Sequence, residues 1–330
     1  MIELIIILGG FFVAWNLGAN DTANCVGVAI GGRTLSYRRA IAIVMLFVLL
    51  GAVLEGWKNM KTVGEGIIIP GPGDTNPLSV VPLATLAVLI AAGLWVLIAT
   101  VFGLPISTSQ SMVGAVIGAG LLITTMRPEL GASVQYSKLG AIGISWILNP
   151  IIAALVAFVL LKVVSRSLRR AKNILLINKI FTVLILIAAA YSAYTLGAND
   201  VGTSMGAVHA YFGGSEQIIA LFGAVALAVG TITFSRRVVS TVGSGITALD
   251  PTTAFAAQFG AALTVWSFVQ FAMPVSTSQA IVGAVAGAGL VKGASTVSGK
   301  KLRNIGIAWV LTPVIGCLLS LGIGWVLLGL

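Results

Sequence analysis

Long runs of apolar residues are the feature that most limits what this chain can fold into. Residues 40–54, 81–102 and 174–190 form such runs, and 58% of the 330 residues are hydrophobic while only 8% are charged. A soluble domain carries about 25% charged residues, because much of its surface must stay polar. Runs of about 20 residues match the ~30 Å hydrocarbon core of a bilayer. The sequence therefore predicts an all-α membrane protein with about ten spans.

Two sequence motifs occur twice along the chain. Gly-Ala-Asn-Asp occupies residues 18–21 and again residues 197–200, and Pro-x-Ser-Thr-Ser-Gln occupies residues 105–110 and again residues 274–279. The order of the two motifs is the same in both halves. This pattern indicates that the chain is a duplication of one unit.

The duplication predicts two transmembrane repeats, residues 1–161 and 180–330, joined by a basic linker at residues 162–179. Five spans fit each repeat, and because five is odd, the second repeat must insert upside down relative to the first. Inverted repeats place a binding site near the membrane midplane, on discontinuous helices. We therefore expect two inverted-topology repeats with broken or re-entrant helices at the midplane.

Basic residues predict the orientation of the chain. Of the 19 lysines and arginines, all but four fall in connections that lie inside if the N-terminus is outside; the four are Lys58, Lys61, Arg127 and Lys138. Positive charge accumulates in cytoplasmic connections, so we expect both termini outside. The net charge of +10 is then an orientation signal. Nucleic-acid binding would need a contiguous basic face instead.

Asp21 and Asp200 are the only acidic residues deep in apolar sequence, and they occupy matching positions in the two repeats. A carboxylate at membrane depth costs at least ~2.5–3.5 kcal/mol, so it usually faces a polar interior and has a function. The alternative is a structural carboxylate that caps a helix break. Gly18 and Gly197 precede the aspartates, and we predict that the helices unwind there and free backbone carbonyls.

Oxygen-bearing side chains accompany both aspartates, and such oxygens are the ligands that hard cations require. We predict that one set of residues forms the site carboxylates and binds the coupling cations: Asn20, Asp21, Thr22, Asn24, Asn199, Asp200, Thr203 and Ser204. These oxygen ligands and the lack of a paired histidine favour sodium over protons. Sodium is expected at Asp21, Asn24, Asp200 and Asn199.

The second motif predicts an anion site. In each copy, hydroxyl residues follow a proline and precede a glycine-rich apolar helix, which is the pattern of a helix start. The free N–H groups and the positive dipole end of a helix N-terminus favour an anion. Ordinary N-capping explains only one hydroxyl in each copy. We predict that an oxyanion binds Ser107, Thr108, Ser109, Gln110, Ser276, Thr277, Ser278 and Gln279.

No lysine or arginine lies in the middle of any predicted span. Two aspartates and an oxyanion would leave about three or four negative charges in the membrane, since a helix terminus supplies only about half a charge. Cations must therefore enter with the anion, which favours symport over exchange or passive conduction. An enzyme is not expected, because the single histidine, His209, has no repeat partner and no Gly-x-Ser-x-Gly motif stands at a strand-to-helix turn.

With these motifs the sequence resembles the inorganic phosphate transporter (PiT) family. The resemblance rests on residues 18–24, on residues 197–200 and on the paired Pro-x-Ser-Thr-Ser-Gln segments, and it covers essentially the whole chain. It implies inverted repeats, both termini outside, a homodimer, and symport of phosphate driven by sodium or protons. The chain departs from the family at Val201, where members often carry an asparagine.

The family that the sequence resembles also includes relatives that move sulfate. Phosphate near neutral pH carries protons and can donate to a carboxylate, whereas sulfate cannot, so Asp21 or Asp200 would favour phosphate. We therefore expect a secondary active transporter of the plasma membrane that imports phosphate with sodium by alternating access, without a cofactor. Proton-coupled phosphate symport and a sulfate permease of the same fold are the alternatives.

Overall fold

The computed structural model describes residues 1–31, 36–102, 106–168, 173–242, 250–293 and 299–329, without the side chains of residues 28, 29, 31, 174, 237–242, 300 and 301. Two predicted features fall partly outside the described residues. Residues 169–172 of the basic linker and Pro105 of the first Pro-x-Ser-Thr-Ser-Gln segment lie outside the described residues.

Helices make up nearly all of the described chain. The first half contains α1 Ile2–Gly31, α2 Tyr37–Glu55, α3 Trp57–Glu65, α4 Pro77–Val80, α5 Pro82–Val101, α6 Thr108–Met126 and α7 Tyr136–Leu168. The second half contains α8 Ile174–Leu196, a π-helical turn Gly197–Val201, α9 Gly202–Phe212, α10 Glu216–Val242, α11 Pro251–Gln270, α12 Thr277–Lys292 and α13 Gly299–Gly329. Two short antiparallel strands, β1 Ile68–Ile69 and β2 Ser133–Val134, pair with Ile68 opposite Val134.

The number and length of the helices fit a protein that spans a membrane many times. Within the described residues, nine helical stretches are long and apolar enough to cross a membrane. The tenth predicted span corresponds to α12, which is helical but has 16 residues. Large apolar side chains such as Ile147 of α7 and Val310 of α13 are exposed, as a lipid-facing surface requires. The prediction of an all-α membrane protein is confirmed.

The helices that carry the two aspartates pack closely on helices of the other half. A Cβ at Gly18 of α1 would lie 2.0 Å from the carbonyl oxygen of Leu227 in α10. A Cβ at Gly197 would lie 2.0 Å from the carbonyl oxygen of Val48 in α2. Small residues allow helix backbones to approach this closely. The same kind of contact thus joins α1 to α10 and the second aspartate's helix to α2.

Two helical hairpins, α5–α6 and α11–α12, carry the two Ser-Thr-Ser-Gln segments at their tips. The strand pair β1–β2 closes the base of the first hairpin. An ion pair between Lys292 Nζ and Asp250 Oδ2, 2.7 Å apart, closes the base of the second. The tips are buried, and all four residues of each Ser-Thr-Ser-Gln segment are at most 8% exposed. The hairpins therefore bring polar segments into the interior of the protein.

The returning helix of each hairpin packs on a long helix of the other half. A Cβ at Gly114 of α6 would lie 2.2 Å from the carbonyl oxygen of Pro313 in α13. A Cβ at Gly283 of α12 would lie 2.2 Å from the carbonyl oxygen of Pro150 in α7. Because these contacts match in the two halves, the returning helix of each hairpin packs against the half to which it does not belong.

The two Gly-Ala-Asn-Asp motifs adopt different backbone conformations. α1 is continuous from Ile2 to Gly31, so the predicted unwinding at Gly18 is wrong. Because Gly18 has no side chain, α1 can pack closely against α10 while it remains a continuous helix. In the second half, Gly197–Val201 forms one π-helical turn between α8 and α9. Single π-helical turns inside helices occur frequently at functional sites.

Candidate functional site

Asp21 is fully buried and surrounded by hydrogen-bond donors. Its Oδ2 accepts a short hydrogen bond from Thr108 Oγ1 at the N-terminus of α6. Its Oδ1 accepts from Asn24 Nδ2 at 3.0 Å and lies 3.4 Å from Ser278 Oγ at the N-terminus of α12. Both carboxylate oxygens therefore have partners within the protein.

Asp200 is equally buried, at 1% exposure. Its Oδ1 accepts a short hydrogen bond from Ser109 Oγ and another from Asn199 Nδ2 at 3.0 Å. Thr277 is the other hydroxyl residue beside it. Its Oδ2 is buried and has no hydrogen-bond partner among the described residues. One oxygen of this carboxylate is thus available to a ligand.

Each aspartate is surrounded by hydroxyl groups from both halves of the chain. Thr108 lies beside the aspartate of its own half, and Thr277 does the same in the second half. Ser109 of the first half contacts Asp200, whereas Ser278 of the second half lies beside Asp21. Each aspartate is therefore approached by a threonine from its own hairpin and by a serine from the other hairpin.

The two hairpin tips also contact each other. Ser278 Oγ lies 3.0 Å from the carbonyl oxygen of Ile106, and Asn24 Nδ2 donates to Ser278 Oγ at 2.8 Å. The N-termini of α6 and α12 consequently face one central region. Their free N–H groups and dipoles give this region a positive potential, which can hold an anion between the tips.

Ser107 and Ser276 act as the N-caps of α6 and α12. Ser107 Oγ accepts from the backbone N–H of Gln110 at 3.2 Å, and Ser276 Oγ accepts from that of Gln279 at 3.1 Å. Ordinary N-capping thus accounts for one hydroxyl in each copy. The Oε1 atoms of Gln110 and Gln279 are buried and have no partner within the described ranges. Buried unpaired polar atoms are uncommon, and a matching pair at the tips indicates a place for a ligand.

Four other predicted residues use their donors inside the protein. Thr22 Oγ1 donates to the carbonyl oxygen of Gly18 at 2.7 Å, and Thr203 Oγ1 donates to that of Asn199 at 2.6 Å. Asn20 Nδ2 donates to Thr100 Oγ1 at 2.8 Å, and Ser204 Oγ donates to the carbonyl oxygen of Val201 at 3.0 Å. A hydroxyl that donates to a carbonyl keeps its oxygen lone pairs, so Thr22, Thr203 and Ser204 can still contact a cation.

Sequence reasoning missed buried amides that hold the predicted residues. Asn59 Nδ2 donates to Asn199 Oδ1 at 2.9 Å. Gln258 Nε2 donates to the carbonyl oxygen of Asn24 at 3.0 Å and to Ser192 Oγ at 2.6 Å. Asn59 lies between two lysines, in a stretch whose charge is typical of a loop. Gln258 could have been noticed as an uncharged polar residue inside an apolar span.

The two aspartates have no basic partner in the part of the chain that the structure describes. The ion pairs found there join Glu55, Glu65, Glu129, Glu216 and Asp250 to other residues. Asp21 and Asp200 are close enough for their charges to interact. Two repelling carboxylates at membrane depth need positive charge from outside the protein, because isolated buried charges are very unfavourable.

These features define the class of the protein. A helical membrane protein in which two buried carboxylates meet two helix N-termini, with contributions from both halves, has the construction of a secondary transporter. A model described as the phosphate transporter family matches residues 17–320. The chain therefore belongs to the phosphate transporter family, and the resemblance seen in its motifs is confirmed.

Individual relatives agree with this assignment. The chain is 29% identical to a candidate phosphate permease of Haemophilus influenzae over 403 aligned positions, covering 96% of this chain and 94% of the relative. It is 29% identical to a candidate phosphate permease of Thermococcus kodakarensis, covering 96% and 95%. A solved structure named the sodium-dependent phosphate transporter matches with a TM-score of 0.87 and 26% identity, covering 100% of this chain and 99% of that one.

Proposed function

We propose that this protein imports inorganic phosphate across the plasma membrane by symport with sodium, through alternating access. The observation that carries the proposal is the pair of buried carboxylates, Asp21 and Asp200, beside the N-termini of α6 and α12. An anion held there requires cations, because two helix termini supply only about one positive charge between them. Joint movement of anion and cations avoids carrying uncompensated charge through the membrane.

The two hairpin tips are proposed to hold the phosphate from two sides. Its partners would be Ser107, Thr108, Ser109, Gln110, Ser276, Thr277, Ser278 and Gln279. One sodium ion would bind at Asp21 with Asn24, and another at Asp200 with Asn199. Asn20, Thr22, Thr203 and Ser204 would complete the two cation sites with oxygens or fix their geometry. The burial of the Gln110 and Gln279 Oε1 atoms without described partners supports a ligand at the tips.

Phosphate is favoured over sulfate by the free oxygen of Asp200. Asp200 Oδ2 is buried and lacks a partner among the residues that the structure describes. A protonated phosphate can donate a hydrogen bond to such an oxygen, whereas sulfate has no proton to donate. A buried acceptor that loses its donor discriminates strongly against the ligand that lacks one.

Sodium is favoured over protons by two observations. The similar solved structure is named as sodium-dependent. The contacts of both aspartates are with hydroxyl and amide groups, while His209 lies at the end of α9 with its Nδ1 3.4 Å from Glu65 Oε1. Hydroxyl, amide and carboxylate oxygens suit a hard cation.

The same proposal includes the arrangement of the chain. The matched contacts of Gly18 and Gly197 support inverted repeats at residues 1–161 and 180–330, joined by the cytoplasmic linker 162–179. With the basic connections inside, both termini face outside. A homodimer is proposed from the resemblance to the family.

Uptake of labelled phosphate into proteoliposomes tests the function. We expect accumulation above equilibrium with an inward sodium gradient and none with an equal potassium gradient at fixed pH, with uptake lost in Asp200→Asn. Equal uptake in both salts that follows a pH gradient would replace sodium by protons. Sulfate uptake without phosphate uptake would assign the protein to the sulfate permeases instead.

A further inference from the structure

We infer that Asn59 of α3 is a positioning residue that sets the orientation of Asn199 and, through it, the cation site at Asp200. The inference rests on the proposed function, since it assigns a role toward one of the two proposed cation sites. Asn59 lies outside both repeated motifs, on a short helix at the end of α2.

Asn59 is fully buried, and its side-chain amide contacts Asn199. Its Nδ2 donates to Asn199 Oδ1 at 2.9 Å and lies 3.5 Å from the Asn199 backbone carbonyl oxygen. Asn199 belongs to the π-helical turn, where its carbonyl also accepts from Thr203 Oγ1. Asn59 therefore holds both the side chain and the backbone of Asn199.

The amide of Asn199 links Asp200 to the second hairpin. Its Nδ2 donates to Asp200 Oδ1 at 3.0 Å and to the Val275 carbonyl oxygen at 2.6 Å. Its Oδ1 accepts from the Val275 N–H at 3.2 Å and from Asn59. The amide can present its N–H to the carboxylate only while Oδ1 stays on the opposite side. Asn59 supplies the shorter of the two hydrogen bonds that keep it there.

The unpaired oxygen of Asn59 argues against a purely structural role. Asn59 Oδ1 is buried and has no partner among the described residues. A buried acceptor without a partner destabilises the fold, so an apolar side chain of similar size would pack there at lower cost. What the amide supplies at this position is the donor that it directs at Asn199.

The backbone of α3 is fixed relative to the second aspartate. A Cβ at Gly64 of α3 would lie 2.3 Å from the carbonyl oxygen of Gly206 in α9, so the two helices touch backbone to backbone. Asn76 Nδ2 donates to the Gly64 carbonyl oxygen at 2.9 Å and holds the same, C-terminal end of α3. A fixed α3 gives Asn59 the rigidity that a positioning residue needs.

A double-mutant cycle between Asn59 and Asn199 tests the inference in proteoliposomes. We expect Asn59→Ala to raise the sodium concentration for half-maximal uptake about tenfold, with a smaller change in maximal rate. In an Asn199→Ala background the same substitution should change it less than twofold, because the two residues act as one unit. Equal effects in both backgrounds, or no effect of Asn59→Ala alone, would overturn the inference.

Two further variants separate positioning from folding. Asn59→Leu keeps the branched shape of the side chain but removes both polar groups, and in protein whose thermal midpoint in detergent matches the wild type it should reproduce the tenfold shift. Asn76→Ala removes a matched amide contact with α3 without touching Asn199, and it should leave sodium dependence unchanged. A shift of the same size in Asn76→Ala would show that any loosening of α3 suffices, and would contradict the assignment to Asn59.

The cycle also separates this inference from the proposed function. If wild-type uptake shows no dependence on sodium, sodium coupling is wrong, and the cycle is then read on the phosphate concentration for half-maximal uptake. Asn199 contacts the tip of the second hairpin through Val275, so coupling between Asn59 and Asn199 should appear there too. Additive effects in that measurement would overturn the inference under either coupling ion.

Discussion

The proposed binding site has two half-sites, one around Asp21 and one around Asp200, which derive from one repeated motif but differ in their surroundings. Asp21 lies in a continuous helix and has partners on both oxygens. Asp200 lies in a π-helical turn and has one oxygen without a described partner. The two copies also differ at Asn24, whose amide contacts Asp21, because the matching position in the second half is Thr203.

The two half-sites share the side chains that the repeated motifs have in common, and they differ where neighbouring residues are no longer the same. Duplication places a carboxylate and a set of hydroxyl groups in each half, and the exchange of Ser109 and Ser278 between halves makes each half-site depend on both. Divergence of neighbouring residues then determines how free each carboxylate is. We infer that Asp21 is the more rigid half-site, and that Asp200 has the greater freedom to bind a ligand directly.

The largest effect is expected at the free carboxylate. Asp200→Asn keeps the shape of the side chain but removes the charge that a cation would neutralise. Loss of one charge of a buried pair costs about 3–5 kcal/mol, so sodium-driven phosphate uptake should fall at least about a hundredfold. Asp21→Asn should reduce uptake less, since both oxygens of that carboxylate already have partners within the protein. Initial rates in proteoliposomes measure both, and a greater loss at Asp21 would reverse the comparison.

A smaller effect on uptake is expected for Ser109 and Ser278, each of which lies beside the aspartate of the other half. Ser109→Ala removes a short hydrogen bond to Asp200 Oδ1, whereas Ser278→Ala removes a group that lies 3.4 Å from Asp21 Oδ1 and leaves Thr108 and Asn24 in place. Hydrogen bonds to charged groups contribute about 1.5–3 kcal/mol. Ser109→Ala should therefore raise the half-saturating sodium concentration about ten- to a hundredfold, and Ser278→Ala several-fold. Equal shifts in sodium titrations of uptake would show that the half-sites are equivalent.

The stability lost when a side chain is added should be equal at the two motifs, even though the hydrogen bonds to the two aspartates differ. Gly18→Ala and Gly197→Ala each place a Cβ about as close to a facing carbonyl oxygen, at 2.0 Å in both cases. Overpacking of this kind costs about 1–3 kcal/mol, so both variants should lower the thermal midpoint in detergent by several degrees. Gly140→Ala in α7, where a Cβ would meet nothing within 4 Å, is the matched control and should be neutral or stabilising. Stability lost at only one of the two positions would contradict equal packing.

The smallest effect is expected at the base of the second hairpin. Burial raises the pKa of Asp250, but hydrogen bonds from Lys292, from the backbone of Thr253 and from Thr252 outweigh it and hold the pKa below its ordinary value of 3.8. The carboxylate therefore stabilises the fold above pH 3.8, and this contribution is lost as the pH falls below that value. The ion pair is half exposed, so Lys292→Met should cost less than about 1 kcal/mol.

The first hairpin provides the control for this prediction, because its base is closed by the backbone pairing of β1 with β2. Thermal unfolding at neutral pH in low and high salt should show a salt-sensitive loss in Lys292→Met. A loss of several kcal/mol that salt does not change would indicate that Lys292 stabilises the hairpin by another mechanism.

Much of the fold could be predicted because the bilayer restricts the choices. Long apolar runs predicted the helices, and the repeats predicted which polar segments correspond. The unwinding at Gly18 was predicted wrongly, because a glycine that permits close packing looks the same in sequence as one that ends a helix.

Contacts that depend on tertiary packing could not be predicted from the motifs. The bond between Ser109 and Asp200 requires the hairpin of one half to reach the aspartate of the other. Asn59 lies between Lys58 and Met60 and close to Lys61, and this charged stretch is typical of an outer loop. It forms a helix whose buried face reaches Asn199 only because α3 packs against α9.

The ratio of sodium to phosphate that enters together tests the central claim most directly. The claim is that each half supplies one carboxylate and that each carboxylate is neutralised by one cation during transport. Wild-type proteoliposomes given both labels should take up about two sodium ions per phosphate, and sodium entry should stop when phosphate is omitted. Phosphate entry without sodium entry, or sodium entry at the same rate without phosphate, would contradict the account.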